Sequence, residues 1–201
     1  MKRKILFIVS LLAFAGLMAP ATAKAEVPYE TYSYNYYSET VAQPHVYLYE
    51  ETYTFDGFET PLKNPQDMFI KGDDIYIADT DNSRIVKTNA AGDLIFEIYT
   101  AEDEGDPLSK PQGIFVTEED HIYVADSGNG RLVEYDENGK YLRQIGRPVT
   151  DLIDPSVTYT PQKVVVDRDG RIYVTAYGIN MGLIEFNIDG DFQSCMGAAQ
   201  V

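Results

Sequence analysis

From Pro65 onward the chain is written in short apolar runs, each closed by a turn signal. One stretch shows the pattern: Gln112–Val116, His121–Ala125, Arg131–Tyr135 and Tyr141–Ile145 are apolar or alternating. Between them stand Glu118-Glu119-Asp120, Ser127-Gly128-Asn129-Gly130 and Asp136-Glu137-Asn138-Gly139. Runs of this length, rich in Ile, Val and Tyr, predict β-strands, and no helical period is present between Pro65 and Met196. Asn138-Gly139, Asp169-Gly170 and Asp189-Gly190 predict tight hairpins, because their backbones take the positive φ that such turns need. The same text recurs. Pro65-Gln66-Asp67-Met68-Phe69-Ile70 runs on to Ile75-Tyr76-Ile77-Ala78-Asp79. Pro111-Gln112-Gly113-Ile114-Phe115-Val116 runs on to Ile122-Tyr123-Val124-Ala125-Asp126, and Pro161-Gln162-Lys163-Val164-Val165-Val166 to Ile172-Tyr173-Val174-Thr175-Ala176. The prolines lie 46 and 50 residues apart. A period of this size signals units that bury their apolar faces only against each other. Four antiparallel strands per unit predict an all-β fold, the blades of a β-propeller.

Ahead of the repeats, Met1-Lys2-Arg3-Lys4 is followed by an apolar run from Ile5 to Ala19 and by Ala23-Lys24-Ala25. A basic start, a run too short for a membrane span and a small-residue cleavage site predict a signal peptide at 1–25, cut after Ala25, with a retained N-terminal anchor as the alternative. The protein is expected to be secreted or held at the cell envelope. Residues 26–61 form a tyrosine-rich arm with one or two short strands, holding eight of the 16 tyrosines. Tyr32, Tyr34 and Tyr36 alternate with polar residues, so one face of a strand would be an aromatic surface suited to sugars or a partner protein. Val46 to Phe55 is expected to be an edge strand packed on the first repeat. The repeats then divide into blades at about 62–108, 109–158 and 159–201.

Charge narrows the partners. The chain carries 16 basic and 32 acidic residues, a net −16, and removal of 1–25 takes four of the basic ones. This argues against nucleic acid, whose phosphates need Lys and Arg. Cys195 is the one cysteine, so no disulfide framework is expected and stability rests on burial and strand pairing.

The stretch Tyr123–Tyr135, Tyr-Val-Ala-Asp-Ser-Gly-Asn-Gly-Arg-Leu-Val-Glu-Tyr, followed by Asn138 to Gly146, resembles an NHL repeat, and Tyr76–Thr88 is a second match. The resemblance implies a propeller of about six blades, used in most relatives as a rigid platform for proteins, nucleic acids or glycans. Other relatives are metal-dependent lactonases or lyases. The repeat motif comprises Asp79, Asn82 and Arg84, then Asp126, Asn129 and Arg131, whereas the third copy keeps Asn180 alone. Ala176 replaces the acid, and Met181 or Gly182 the base. Loss of acid and base together is what a structural ion pair predicts, since a lone buried charge is costly.

Three copies are half of a six-bladed ring. A shortened gene or a fragment is the expected explanation, with pairing to a second half-ring or a stable open array as alternatives. The inner strands would place Asp67, Phe69, Phe115, Lys163 and Val165 toward the channel. They offer no set of convergent carboxylate, Asn or His ligands. No catalytic site, metal or cofactor is therefore expected, and calcium could be suggested only by Asp79-Thr80-Asp81-Asn82, which lacks the spacing of a calcium loop. The expected function is an exported, non-catalytic binding or scaffold protein with a protein or glycan partner. The alternatives are a fragment of a metal-dependent propeller hydrolase or lyase, and a non-functional truncated propeller.

Overall fold

The computed structural model describes residues 32–42, 55, 57–102 and 105–197. The expected signal peptide lies outside these residues, as does the expected edge strand from Val46 up to, but not including, Phe55. Strands β1 (Tyr32–Tyr34) and β2 (Thr40–Ala42) pair as a hairpin that forms part of a unit separate from the repeats. Its turn is set by Asn35, whose side-chain oxygen accepts from the backbone N–H groups of Tyr37 and Glu39.

The rest is all-β, three four-stranded antiparallel sheets laid side by side as part of a propeller. Blade I contains β3 (Asp67–Lys71), β4 (Asp74–Asp79), β5 (Arg84–Asn89) and β6 (Leu94–Ile98). Blade II contains β7 (Pro111–Val116), β8 (Ile122–Asp126), β9 (Arg131–Tyr135) and β10 (Tyr141–Ile145). Blade III contains β11 (Thr160–Val166), β12 (Ile172–Tyr177), β13 (Gly182–Phe186) and β14 (Phe192–Gly197). Each sheet is a plain meander, every strand paired with its neighbour in sequence.

The turns explain the meander. Between the third and fourth strands, Asn89, Asp136 and Asn187 each accept two backbone N–H groups on their side-chain oxygen. This local bond replaces the ladder where the chain reverses. Gly139 then takes φ 77° and Gly190 φ 88°, a conformation that costs glycine nothing. Both are closely packed: a Cβ would lie 2.9 Å from Ile145 of the previous blade on Gly190 and 3.1 Å from Ile98 of the previous blade on Gly139.

The core lies between sheets. Tyr76, Ala78, Ile85 and Ile98 of blade I meet Ile114, Ile122, Val124 and Val133 of blade II. Tyr123, Ala125, Leu132 and Ile145 of blade II meet Val164, Ile172, Val174 and Ile184 of blade III in the same way. Residues paired across an antiparallel sheet share a face, so alternate positions on one strand serve the two junctions in turn. That is why these strands are apolar on both faces and the alternation expected of a surface sheet is missing. On the far side of blade I, Ile75, Ile77 and Val86 are covered by Phe58 with Phe55 and Leu62 from the segment leading into the first strand. Hydroxyl latches tie the junctions: Thr80 donates to the Pro111 carbonyl at 2.7 Å and Ser127 to the Pro161 carbonyl at 2.5 Å.

Candidate functional site

The repeated acid and base meet at the turn between the second and third strands of a blade. A single 3-10 turn, Thr80–Asn82 or Ser127–Asn129, carries the chain from one strand to the next and ends in a left-handed residue, Ser83 or Gly130. This brings Asp79 onto Arg84 at 2.7 Å and Asp126 onto Arg131 at 2.9 Å, with both carboxylates wholly buried. Each carboxylate takes two more donors. Asp79 accepts from Lys63 N–H (2.7 Å) and Asn82 (2.8 Å), Asp126 from Ser109 N–H (2.7 Å) and Asn129 (2.8 Å). The asparagines also reach the carbonyls of Pro61 and Pro107, so the cluster fastens the entry segment to its own blade. A buried carboxylate with three donors is a fully satisfied structural knot rather than an open ligand site.

The bases recruit partners that sequence reasoning missed. Arg84 also bonds Glu97 and the Thr60 carbonyl, and Tyr99 at 3.2 Å. Arg131 holds Asp106 with two bonds, at 2.7 and 2.9 Å, and Gln144 at 2.7 Å. Asp106 stands in an acidic stretch of sequence and is fixed by Arg131. The hydrogen bond from Arg131 holds its carboxyl below the ordinary value. Burial pulls the Arg84 guanidinium down, but the bonds to Tyr99 and Asp79 outweigh it and the net direction is up. In blade III strand register assigns the base position to Gly182. At φ 76° its missing Cβ would fall 2.0 Å from the Met196 carbonyl, so no arginine fits. Asn180 is exposed and makes no hydrogen bond among the described residues.

Around the axis the inner strands converge. Gln112 and Gln162 are the extra residues of β-bulges at the starts of β7 and β11, and their side chains approach at 3.5 Å. Lys163 reaches across from blade III to Asp67 of blade I at 2.9 Å and donates to the carbonyls of Gln66 (3.0 Å) and Gln112 (3.2 Å). Asp67 accepts from Ile114 N–H at 3.0 Å. Asp67 and Lys163 are thus engaged with each other and with backbone of blades I and II. Phe69 stacks edge-on against Phe115, ring centres 5.0 Å apart, while Val165 lies exposed on the outer face of blade III.

Past the aromatic pair the inner strands end in a cleft of about 670 Å³. Its walls are Phe69, Ile70, Phe115, Val116 and Val166, and its rim carries Lys71, Glu118, Glu119, Asp167 and Arg168. Lys71 is held by Asp120 at 2.7 Å and by the carbonyls of Thr117 and Glu118, and Arg168 pairs with Glu118 at 3.2 Å. Glu119 is exposed and makes no bond among the described residues. An apolar hollow of this size with a few polar groups at the mouth is the form a small ligand or a side chain enters. Among the described residues no group of three or more His, Cys, Asp or Glu is arranged to hold a metal ion.

In the hairpin, Tyr32, Tyr34 and Tyr36 are 60%, 64% and 95% exposed. Tyr32 and Tyr34 meet edge-on with ring centres 5.8 Å apart, and Tyr36 meets Tyr37 at 5.4 Å. Cys195 is half-buried in β14 against the junction core, and burial pushes its thiol up. Among the described residues no helix is long and apolar enough to cross a membrane.

Comparison with known proteins agrees with this geometry. Residues 108–135 match the NHL repeat model and residues 140–182 a β-propeller repeat model. No curated protein matches the chain. Among solved structures it is similar to a streptogramin B lyase (TM-score 0.52, 15% identity, covering 68% of this chain and 41% of that one). It is similar also to virginiamycin B lyase from Staphylococcus aureus (TM-score 0.52, 16% identity, 82% and 47%). A third likeness is to a Bacteroides fragilis protein described as exported (TM-score 0.53, 14% identity, 69% and 39%). The chain spans two fifths to a half of the length of these structures, and identities this low carry the fold alone. The fold, three stacked four-stranded sheets, is thus that of part of a β-propeller, and residues 108–135 and 140–182 are similar to repeats of that kind.

Proposed function

We propose that this chain is an exported, non-catalytic binding protein that presents its propeller blades to a protein or glycan at the cell envelope. The observation that carries the reading is the cleft at the ends of the inner strands. Its walls are apolar and aromatic, and both rim cations are already neutralised by carboxylates of neighbouring turns. Such a hollow takes up the face of a sugar ring or an apolar side chain and leaves little free charge to do chemistry. The exposed tyrosines of the hairpin add a second aromatic surface, each ring joining apolar area to a hydroxyl. The basic, apolar and small-residue segments of 1–25 support export.

The test is retention of cell-wall glycan and of envelope proteins on the immobilised chain. Phe115→Ser in the cleft and the pair Tyr34→Ala and Tyr36→Ala in the hairpin should each reduce retention. If the unaltered chain retains neither class, or all variants retain as much, the reading is wrong. A lyase is the second reading, prompted by the names of two structural neighbours. It requires loss of quinupristin on incubation with the chain, which is bound by a catalytically inactive form of the Staphylococcus lyase.

A further inference from the structure

Every blade has a forward face, toward the next blade in sequence, and a back face. The forward faces of blades I and II are buried: Ile85 and Leu132 are 0% exposed, Ile98 and Ile145 no more than 6%. Strand register places Leu183 and Met196 at the same two positions of blade III. They are 39% and 41% exposed, and Val165 beside them is 50% exposed. With Tyr173 and Thr175 they form an apolar hollow of about 350 Å³. The latch position that is Thr80 in blade I and Ser127 in blade II is Tyr177 here, and it too is exposed. Blade III therefore carries a face built to accept a blade, and among the described residues none lies on it.

The complement stands on the same chain. On the back face of blade I, Met68 and Ile70 are 58% and 59% exposed. The equivalent positions in blade II, Ile114 and Val116, are 3% exposed because they sit on the forward face of blade I. Behind them Ile75, Ile77 and Val86 are already covered by Phe58, Phe55 and Leu62, so the open part of this face is Met68 and Ile70 with the shallow groove beside Met68. The two open faces thus repeat the chemistry of the two buried junctions, aliphatic against aliphatic. The I/II junction is the closer template, since Asp67 there and Lys163 here both bear a side chain where blade II has Gly113.

We infer that a second copy of this chain docks head to tail, the back face of blade I of one copy seated on the forward face of blade III of the other. Two such contacts about a two-fold axis give each open face a partner and close a ring of six blades. Ile70 lies both on this face and in the wall of the cleft, whereas Met68, Leu183 and Met196 do not line the cleft, so the contact is tested at those positions independently of the binding role.

Sedimentation velocity of the purified chain at micromolar concentration tests it, with Leu183→Glu and Met68→Glu as single-face variants. Both sites are exposed, so the fold should survive, which far-UV circular dichroism and the urea midpoint check. The unaltered chain should sediment as a dimer. Each variant alone should be monomeric, its association weakened by about a hundredfold through an unpaired carboxylate in an apolar contact. Mixing the two variants should bring back a mixed dimer, weaker than the parent, because one intact pair of faces remains. A monomeric parent overturns the inference, as it would if residues of the same chain covered the hollow. So does a dimer indifferent to either variant, or a mixture that stays monomeric.

Discussion

Asp126→Ala isolates the knot that repeats in blades I and II. The wild-type carboxylate is wholly buried and accepts from Ser109 N–H, Asn129 and Arg131 at 2.7 to 2.9 Å. Removing it leaves three donors without that acceptor. Asn129 is exposed and can turn to water, and Arg131 keeps Asp106 and Gln144. Ser109 N–H, on a half-buried residue, has no other acceptor among the described residues. Breaking a buried pair from one side costs about 3–5 kcal/mol, and an unmet buried donor about 1–3 kcal/mol. Since the guanidinium retains a carboxylate, the lower end applies, about 3 kcal/mol. Urea unfolding followed by circular dichroism reads the total, and hydrogen exchange at the Ser109 amide reads the local release. The double variant Asp126→Ala with Arg131→Ala should be less destabilised than the sum of the singles by about 1–2 kcal/mol, as residues in one network are. A single-variant loss under about 1 kcal/mol, or strict additivity, would refute the account of a buried, mutually dependent pair.

Other outcomes follow from the same geometry. Gly113→Ala places a Cβ 2.4 Å from the Gln162 carbonyl oxygen, forcing the inner strands of blades II and III apart; a loss of about 2 kcal/mol is expected by urea titration. Lys163→Met removes the link from blade III to blade I, but the lysine is half exposed, so the loss should stay below about 1 kcal/mol. Acid should weaken the fold through Asp106, held down by Arg131, and through Glu134. For Glu134, burial raises the carboxyl, but the bonds from His121 and Arg143 outweigh it. Both folded-state values lie below the ordinary ones, so their stabilisation is present above about pH 4 and is lost as pH falls through the folded values. The urea midpoint should drop over that range, and Asp106→Asn should flatten the drop; an unchanged profile would count against the pairing.

How much of this was legible in the chain differs from feature to feature. Pro-Gln starts, aspartate or asparagine with glycine at the turns, and runs such as Ile122-Tyr123-Val124-Ala125 act over a few residues, and these alone determined four strands per unit, their order and their turns. Joint loss of the acid and the base in the third copy pointed to the pairing of Asp79 with Arg84 and of Asp126 with Arg131. It could not reveal Glu97 or Asp106, which reach the arginines from a neighbouring strand and from the entry segment and vary in type between blades. Between Met181 and Gly182, only register decided, because an insertion blurs the alignment while hydrogen bonding does not. The salt bridge from Lys163 to Asp67 joins residues two blades apart, and no periodicity carries that information. Which apolar faces are buried among the described residues was likewise a matter of stacking: Leu132 and Leu183 occupy the same place in their sheets, and only Leu132 has a following blade among those residues. Local signals specify a sheet because its turns and alternation are short-range. Its environment comes from contacts between sheets, which depend on residues far apart in the chain.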